Sequence, residues 1–256
     1  MSFTNLDLSV LPQAQLNIWP KLNCIDPCFT LYGGTAIALQ LGHRISIDFD
    51  FFSNRSFQPD EILSHLSSTF QVKEVFQSGS NLLTCSIESN DVPVLFSFFG
   101  NLGIGSLQKP LLHDLNSLKI ASLEDLFVMK LKAILGRVEE KDFIDIAALL
   151  RSKLSLEKAL SGFAVIFPSQ ASPSILLRTL SYLDDERLKN LSSEDIDKIQ
   201  TDLSFHPTIV SLSSDKHGVH MGPSDGEVEF SSHEILIPVP KGRRYAYKIA
   251  VYQTGF

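Results

Sequence analysis

The residues whose types and spacing carry the most chemistry fall in one stretch, Leu31-Tyr-Gly-Gly-Thr-Ala-Ile-Ala-Leu-Gln-Leu-Gly-His-Arg-Ile-Ser-Ile-Asp-Phe-Asp-Phe-Phe-Ser53. From Arg44 the residues alternate, so Arg44, Ser46, Asp48 and Asp50 are expected on one face of a strand, with Ile45, Ile47, Phe49 and Phe51 on the other. Asp48 and Asp50 then point the same way. Such a pair repels unless water or a cation bridges it, and hard oxygen donors with this spacing suit Mg²⁺ (or Mn²⁺) carrying phosphates. Gly33 and Gly34 let the backbone approach a ligand with no Cβ in the way. Thr35 is expected to cap the next helix, whose free N–H groups attract phosphate oxygens. Arg44 and Ser46 are further candidates to touch the anion. The set implies a site for a metal-bound nucleoside triphosphate.

Each feature also has a plainer reading. A Gly-Gly pair makes a strand-to-helix turn without any ligand, and His43 and Arg44 are placed to cap and solvate a helix end. Asp48 and Asp50 are harder to dismiss, because Asp is depleted in strands and these two sit among Ile47, Phe49, Phe51 and Phe52. Further along, Lys130 and Arg137 are seven residues apart on a helix flank, where a solvated face is the default. Asp142 and Asp145, three apart, are neighbours on the following helix. They are placed either to pair with Lys130 or Arg137 or to position a substrate.

The pattern Gly-Gly-Thr-Ala, His-Arg, Ser-x-Asp-x-Asp continues downstream into Leu123-Glu-Asp-Leu-Phe-Val-Met-Lys-Leu-Lys-Ala-Ile-Leu-Gly-Arg137 and Glu140-Lys-Asp-Phe-Ile-Asp-Ile146. Across roughly residues 10 to 205 it resembles the AbiEii/AbiGii-type toxins of the DNA polymerase β-like nucleotidyltransferase superfamily. That resemblance implies Mg²⁺ on Asp48 and Asp50, an NTP cradled by Gly33, Gly34, Thr35, Arg44 and Ser46, and Lys130 on the triphosphate. Asp142 and Asp145 join Asp48, Asp50 and Lys130 as its catalytic candidates. It also implies a separate antitoxin and an RNA acceptor for the transferred NMP, with the 3′ end of tRNA as the expected case. The basic residues Lys130, Lys132, Arg137, Lys141, Arg151 and Lys153 would supply a phosphate-contacting surface.

One departure bears on activity. Superfamily members commonly carry a third carboxylate on the strand beside the Asp-x-Asp strand, and the matching segment Val94-Leu-Phe-Ser-Phe-Phe-Gly100 has Ser97 at that place. A serine neither holds a second metal as well nor acts as a base at neutral pH. Asp142, Asp145 or the acceptor's own phosphate must supply that function, or turnover is slow or lost. A nucleotide- or protein-binding module without turnover, and a nucleotidyltransferase acting on a small antibiotic-like alcohol, are the alternatives.

These groups need elements to hold them. At 256 residues, with 44% hydrophobic and 20% charged, the chain can bury one good core or two smaller ones. Its charge of −7 argues against broad nucleic-acid coating. Cys24, Cys28 and Cys85 are too few and too unevenly spaced for a zinc site or a disulfide framework. Neither a signal-peptide pattern nor a membrane-length apolar run is present, so a soluble cytoplasmic protein is expected, with no membrane partner. Helices are expected after Pro12, over 35–41 up to Gly42, and over 60–70; the runs 82–87 and 92–98 read as a hairpin. From Ser122 the pattern is helical, with a stripe of Leu123, Phe127, Leu131, Ile134, Leu135 and Val138, then helices over 141–151, 156–164, 173–183 and 193–203.

The fold class is therefore α+β. A polymerase β-like domain with a small mixed sheet (1–118) precedes a helical domain (119–205) and a tail (206–256). In the tail, 211–225 reads as a loop carrying His217 and His220, and 234–240 with 244–252 as a hairpin about Lys241-Gly-Arg.

Overall fold

Alternating phenylalanines build the sheet that carries the two aspartates. The computed structural model describes residues 2–3, 6–170, 172–204, 212–215, 218–221, 232–238 and 244–250. It divides into two units, Met1–Ile104 with Lys109–Leu126, and Gly105–Gln108 with Phe127–Phe256. The first unit begins with β1 (Ser2–Phe3), α1 (Gln13–Ile18), β2 (Thr30–Tyr32), α2 (Gly33–Leu41) and β3 (Asp48–Phe52). It continues with α3 (Pro59–Ser67), β4 (Val72–Gly79), β5 (Leu82–Ser89), β6 (Val92–Phe99), β7 (Leu111–His113) and β8 (Lys119–Ile120), and ends in the first turn of α4 (Leu123–Gly136). The eight strands form one mixed sheet in the order β1-β7-β8-β2-β3-β6-β5-β4. β3 lies at its centre, antiparallel to β2 and parallel to β6.

The period of two in β3 decides which face is core. Phe49 and Phe51 are fully buried, as are Phe96 and Phe98 on β6, and the rings of Phe51 and Phe98 stack at 4.9 Å. Phe49 meets Phe96 edge-on at 5.2 Å and stacks on Trp19 at 6.3 Å. Each such ring stabilises the fold by roughly 1.5–3 kcal/mol through burial alone. Asp48 and Asp50 are thereby held on the opposite face.

Local rules explain most boundaries. Pro12 opens α1, and Pro20, lacking an N–H, coincides with the change from α-helix to the 3-10 turn Trp19–Cys24. Gly42 ends α2 in the left-handed region (φ 65°), its N–H donating to the Ala38 carbonyl at 2.7 Å. The expected hairpin is β5–β6, turned by Asn90 and Asp91 with φ of 52° and 63°, the conformation that matches strand twist in two-residue loops.

Two expectations about this unit change. The alternation from Arg44 holds only from Asp48, since β3 starts there; Ile45 and Ile47 are 66% and 63% exposed while Ser46 is 7% exposed. The chain leaving Gly42 is still turning, and Ser46 is drawn inward by its N–H bond to the Val10 carbonyl (3.2 Å). The second change is four added strands, β1, β4, β7 and β8. β4 forms the sheet edge, is exposed on both faces with Val75 and Phe76 adjacent and both open to solvent, and meets β5 with two register shifts, so it carries no clean apolar alternation.

The second unit holds the rest of α4 and α5 (Glu140–Arg151), α6 (Leu156–Ile166), α7 (Pro173–Ser181) and α8 (Ser193–Ser204), all four at the expected places. Ser192 caps α8 by accepting from Asp195 N–H at 3.1 Å, and Arg151 of α5 pairs with Asp195. Segment 105–108 contributes Leu107, which is buried; a Cβ on Gly162 of α6 would come within 2.6 Å of its Cδ1. Beyond α8, β9 (Leu212–Asp215) pairs antiparallel with β10 (Gly218–Met221), where a loop was expected. His220 is in β10, and His217 lies outside the described residues. β11 (Ser232–Pro238) and β12 (Arg244–Ala250) pair antiparallel as the expected hairpin, the residues of its Lys241-Gly-Arg turn before Arg244 lying outside the description. Among the described residues no helix is long and apolar enough to cross a membrane.

Candidate active site

β2 runs directly into α2, and this junction positions the first carboxylate. Tyr32 is extended at the N-cap, and Gly33 follows with φ +73°, in the region L side chains avoid. A Cβ on Gly33 would also overlap Asp50 Oδ2, so the carboxylate of Asp50 lies against the start of the helix. The N-cap residue Tyr32 makes no side-chain cap hydrogen bond, and the first N–H groups of α2 carry the positive end of the helix dipole toward that spot. Thr35 is not the expected cap. The helix starts at Gly33, and the buried Thr35 hydroxyl instead hydrogen-bonds to the Asp48 carbonyl and to Ser46 Oγ (2.8 Å). Thr35 and Ser46 therefore pin the first turn of α2 to the beginning of β3.

Replacing Gly33 tests this junction. Gly33→Ala must place a Cβ at positive φ, costing about 1–2 kcal/mol, and must displace Asp50. A lowered melting temperature with loss of nucleotidyl transfer is expected. An alanine variant with unchanged melting and turnover would show that the close approach is dispensable.

Asp48 and Asp50 share the open face of β3 and are partly exposed. The register sets Asp50 between Tyr32 on β2 and Ser97 on β6, and Asp48 beside Leu95. Ser97 thus occupies the place beside Asp50 that the sequence pattern pointed to. Tyr32, which the sequence reading passed over, stacks on Phe52 at 4.8 Å. Burial pushes its phenol well above the usual range and the charge of Asp125 adds to this, so it stays a neutral hydroxyl. Among the described residues no cluster of three His, Cys, Asp or Glu is placed to hold a metal. A cation on Asp48 and Asp50 would have to complete its shell with phosphate oxygens and water. One or two carboxylates plus substrate phosphates is the usual Mg²⁺ arrangement, and the donor set fits it.

The second unit gathers the other candidates. Lys130 is 7% exposed, and its Nζ lies 2.7 Å from Asp142 Oδ1 and 2.6 Å from Asp145 Oδ2, both aspartates being fully buried. Arg137 Nε donates to Asp142 Oδ2 at 2.9 Å. The solvated face that is the default for such charges gives way to a buried ionic cluster, and of the two placements open to Asp142 and Asp145 the structure shows the pairing with Lys130 and Arg137. Burial raises the Asp142 carboxyl, but the Arg137 hydrogen bond and the Lys130 charge outweigh it and hold it below the ordinary carboxylate range. A depressed carboxylate adds stability above its ordinary value, about 3.9, and that contribution disappears as pH falls through the folded-state value. Urea titrations should therefore show a stability gap between wild type and Asp142→Asn that is constant at neutral pH and shrinks below about pH 4. A gap independent of pH would contradict the ionised state.

Four of the other cations are also engaged. Arg137 and Lys141 both reach Glu139, at 3.3 and 3.1 Å, Arg151 pairs with Asp195, and Lys132 lies over the Phe167 ring at 5.6 Å. The expected phosphate-contacting surface is in large part neutralised by its own acidic neighbours. Glu139, Glu194 and Asp195 were not singled out in the sequence, although Asp195 stands three residues after Ser192, the spacing of a capping pair.

The chain is 30% identical over 161 residues to the uncharacterized protein aq_aa25 of Aquifex aeolicus (strain VF5), spanning 62% of this chain and 75% of that one. In structure it is similar to MenT4, a nucleotidyltransferase toxin from Mycobacterium tuberculosis H37Rv, with a TM-score of 0.53 and 12% identity, covering 74% of this chain and 82% of MenT4. At that identity the likeness speaks to the fold. The model of the family described as nucleotidyl transferase AbiEii toxin, type IV toxin-antitoxin system, matches residues 25–212. That span takes in β3, the ionic cluster and the whole helical array, and on it this protein belongs to the AbiEii family of nucleotidyltransferase toxins.

Proposed function

We propose that this nucleotidyltransferase toxin transfers the NMP of an NTP, with Mg²⁺ or Mn²⁺, to an RNA acceptor, the 3′ end of tRNA being the first to test. The observation that carries the reading is Asp50 seated against Gly33 at the start of α2, with Asp48 on the same strand face. The first N–H groups of α2 receive phosphate oxygens. A cation held by Asp48 and Asp50 would neutralise charge on the triphosphate. Arg44 and Ser46 flank the site. The acceptor hydroxyl attacks the α-phosphorus in line, its oxygen forming the new bond as the bond to pyrophosphate breaks. Asp142 and Asp145 are committed to Lys130, and Ser97 is not a base, so we assign the hydroxyl proton to the acceptor's own phosphate. The protein would act in the cytoplasm and be restrained by a cognate antitoxin.

Ser97 beside Asp50 favours one second reading, a nucleotide-binding module that has lost turnover. Incubation with each α-³²P-NTP, Mg²⁺ and total RNA separates the two. Label on RNA is expected. Nucleotide binding with no labelled product from RNA, protein or small alcohols would establish the second reading, and label on an alcohol alone would replace RNA with a small-molecule acceptor.

A further inference from the structure

A second concave site lies on the other face of the N-terminal sheet. Phe98 stands opposite Phe51 in the β3–β6 register, on the face away from Asp50, and with Phe29, Phe57 and Leu66 it floors a cavity of about 240 Å³. The floor is a set of buried rings locked edge to face, Phe29 meeting Phe98 at 5.2 Å and Phe57 at 5.5 Å. Five charged or titratable side chains stand around it: Asp26, Cys28, Arg55, Glu61 and His65.

Their hydrogen bonding divides them by sign. Asp26 Oδ1 accepts from the Cys28 N–H at 2.7 Å, and Glu61 Oε2 accepts from the Gln58 N–H at 3.4 Å within the capping box of α3. Both carboxylates are spent on backbone. Among the described residues neither the Arg55 guanidinium nor the His65 imidazole has a hydrogen bond or ion pair, although Asp26 feels the charge of both. Burial, followed by the hydrogen bond with Asp26, pushes the Cys28 thiol up, so the wall presents no thiolate. The donors left over are those that recognise an anion.

The rim is also held in place before any ligand arrives. Arg55 N–H donates to Ser53 Oγ at 3.1 Å, and the Arg55 carbonyl accepts from Asn101 N–H at 3.0 Å. Phe57 N–H donates to Asn81 Oδ1 at 2.9 Å. Gly100 lets this loop lie close, since a Cβ there would come within 2.6 Å of the Phe57 ring and 2.8 Å of the Arg55 carbonyl. An ordered aromatic floor with two uncommitted donors at its mouth is a preorganised receptor.

We propose that this cavity binds a small organic anion with a single-ring or branched apolar body, its carboxylate or phosphate group held by Arg55 and His65 and its body on Phe29, Phe57 and Phe98. The site is independent of the nucleotide site. Calorimetric titration of the full chain with phenylacetate, phenyl phosphate and benzyl alcohol tests it. Both anions share the ring with the alcohol, and the tighter of the two identifies the head group. At least one anion should bind at least about tenfold more tightly than benzyl alcohol. Arg55→Gln should erase that preference, and saturating Mg·ATP should leave anion binding unchanged. Absence of anion binding by wild type up to about 10 mM, equal affinity for anion and alcohol, an unaltered preference in Arg55→Gln, or displacement by ATP would each overturn the proposal.

Discussion

Asp48→Asn and Asp50→Asn should each lower nucleotidyl transfer by about a thousandfold or more while leaving the protein folded. The estimate follows from asking the carboxylate pair to hold a cation whose neutralising effect is worth roughly 4 kcal/mol in the transition state, at about 1.4 kcal/mol per tenfold in rate. The fold should survive because both side chains are partly exposed on the open face of β3, opposite the phenylalanine core. Removing one of two like charges also relieves repulsion, so the melting temperature of Asp48→Asn should stay level or rise, whereas Asp50→Asn also gives up the charge held at the start of α2 and should melt slightly lower. NTP affinity measured with and without Mg²⁺ completes the test. Either variant with wild-type transfer rates would remove the aspartate pair from the reaction centre.

The largest effect on stability is expected at Lys130. Lys130→Ala leaves Asp142 and Asp145 fully buried without their shared cation, and breaking a buried pair in this way costs about 3–5 kcal/mol. Lys130→Arg should recover only part, because a planar fork does not replace a point charge set 2.7 and 2.6 Å from two carboxylates. The triple variant Lys130→Met, Asp142→Asn, Asp145→Asn carries no buried ionic charge at these positions and should regain much of the stability. If Lys130 also contacts the triphosphate, that triple variant stays deficient in NTP binding. Chemical denaturation and NTP titration of the three proteins separate the roles, and a loss below about 1 kcal/mol in Lys130→Ala would show that the cluster is solvated.

What could be read from the sequence follows the range of the forces involved. The alternation of Phe49 and Phe51 with Asp48 and Asp50, the stop at Gly42, the β5–β6 hairpin and the placement of Ser97 beside Asp50 all rest on strand periodicity or glycine stereochemistry, and they stand in the structure. The errors arose where the deciding partner is distant in sequence. Ser46 turns inward because Thr35 and Val10 hold it, which leaves Ile45 and Ile47 exposed. The helix carrying Lys130 is buried on a broader face than its main apolar stripe, with Leu126 and Val128 also inside, so a lysine beside the stripe enters the interior. β4 and β9 are strands made by pairing, without a regular apolar alternation to announce them.

The route of the chain through residues 105–108 limits how this protein can be divided. Leu107 belongs with the helical unit although Lys109–Leu126 returns to the sheet, so the two units are interleaved in sequence. A fragment expressed from residue 119 onward lacks Leu107 and keeps Gly162, whose missing side chain is the space that leucine fills. Such a fragment carries a void the size of a leucine side chain in its core, a defect that typically costs about 2–5 kcal/mol. Adding a peptide that spans residues 105–108, or grafting a larger side chain at Gly162, is then the natural repair. Gene fusions or truncations that treat 105–108 as a dispensable linker would remove part of the helical core itself.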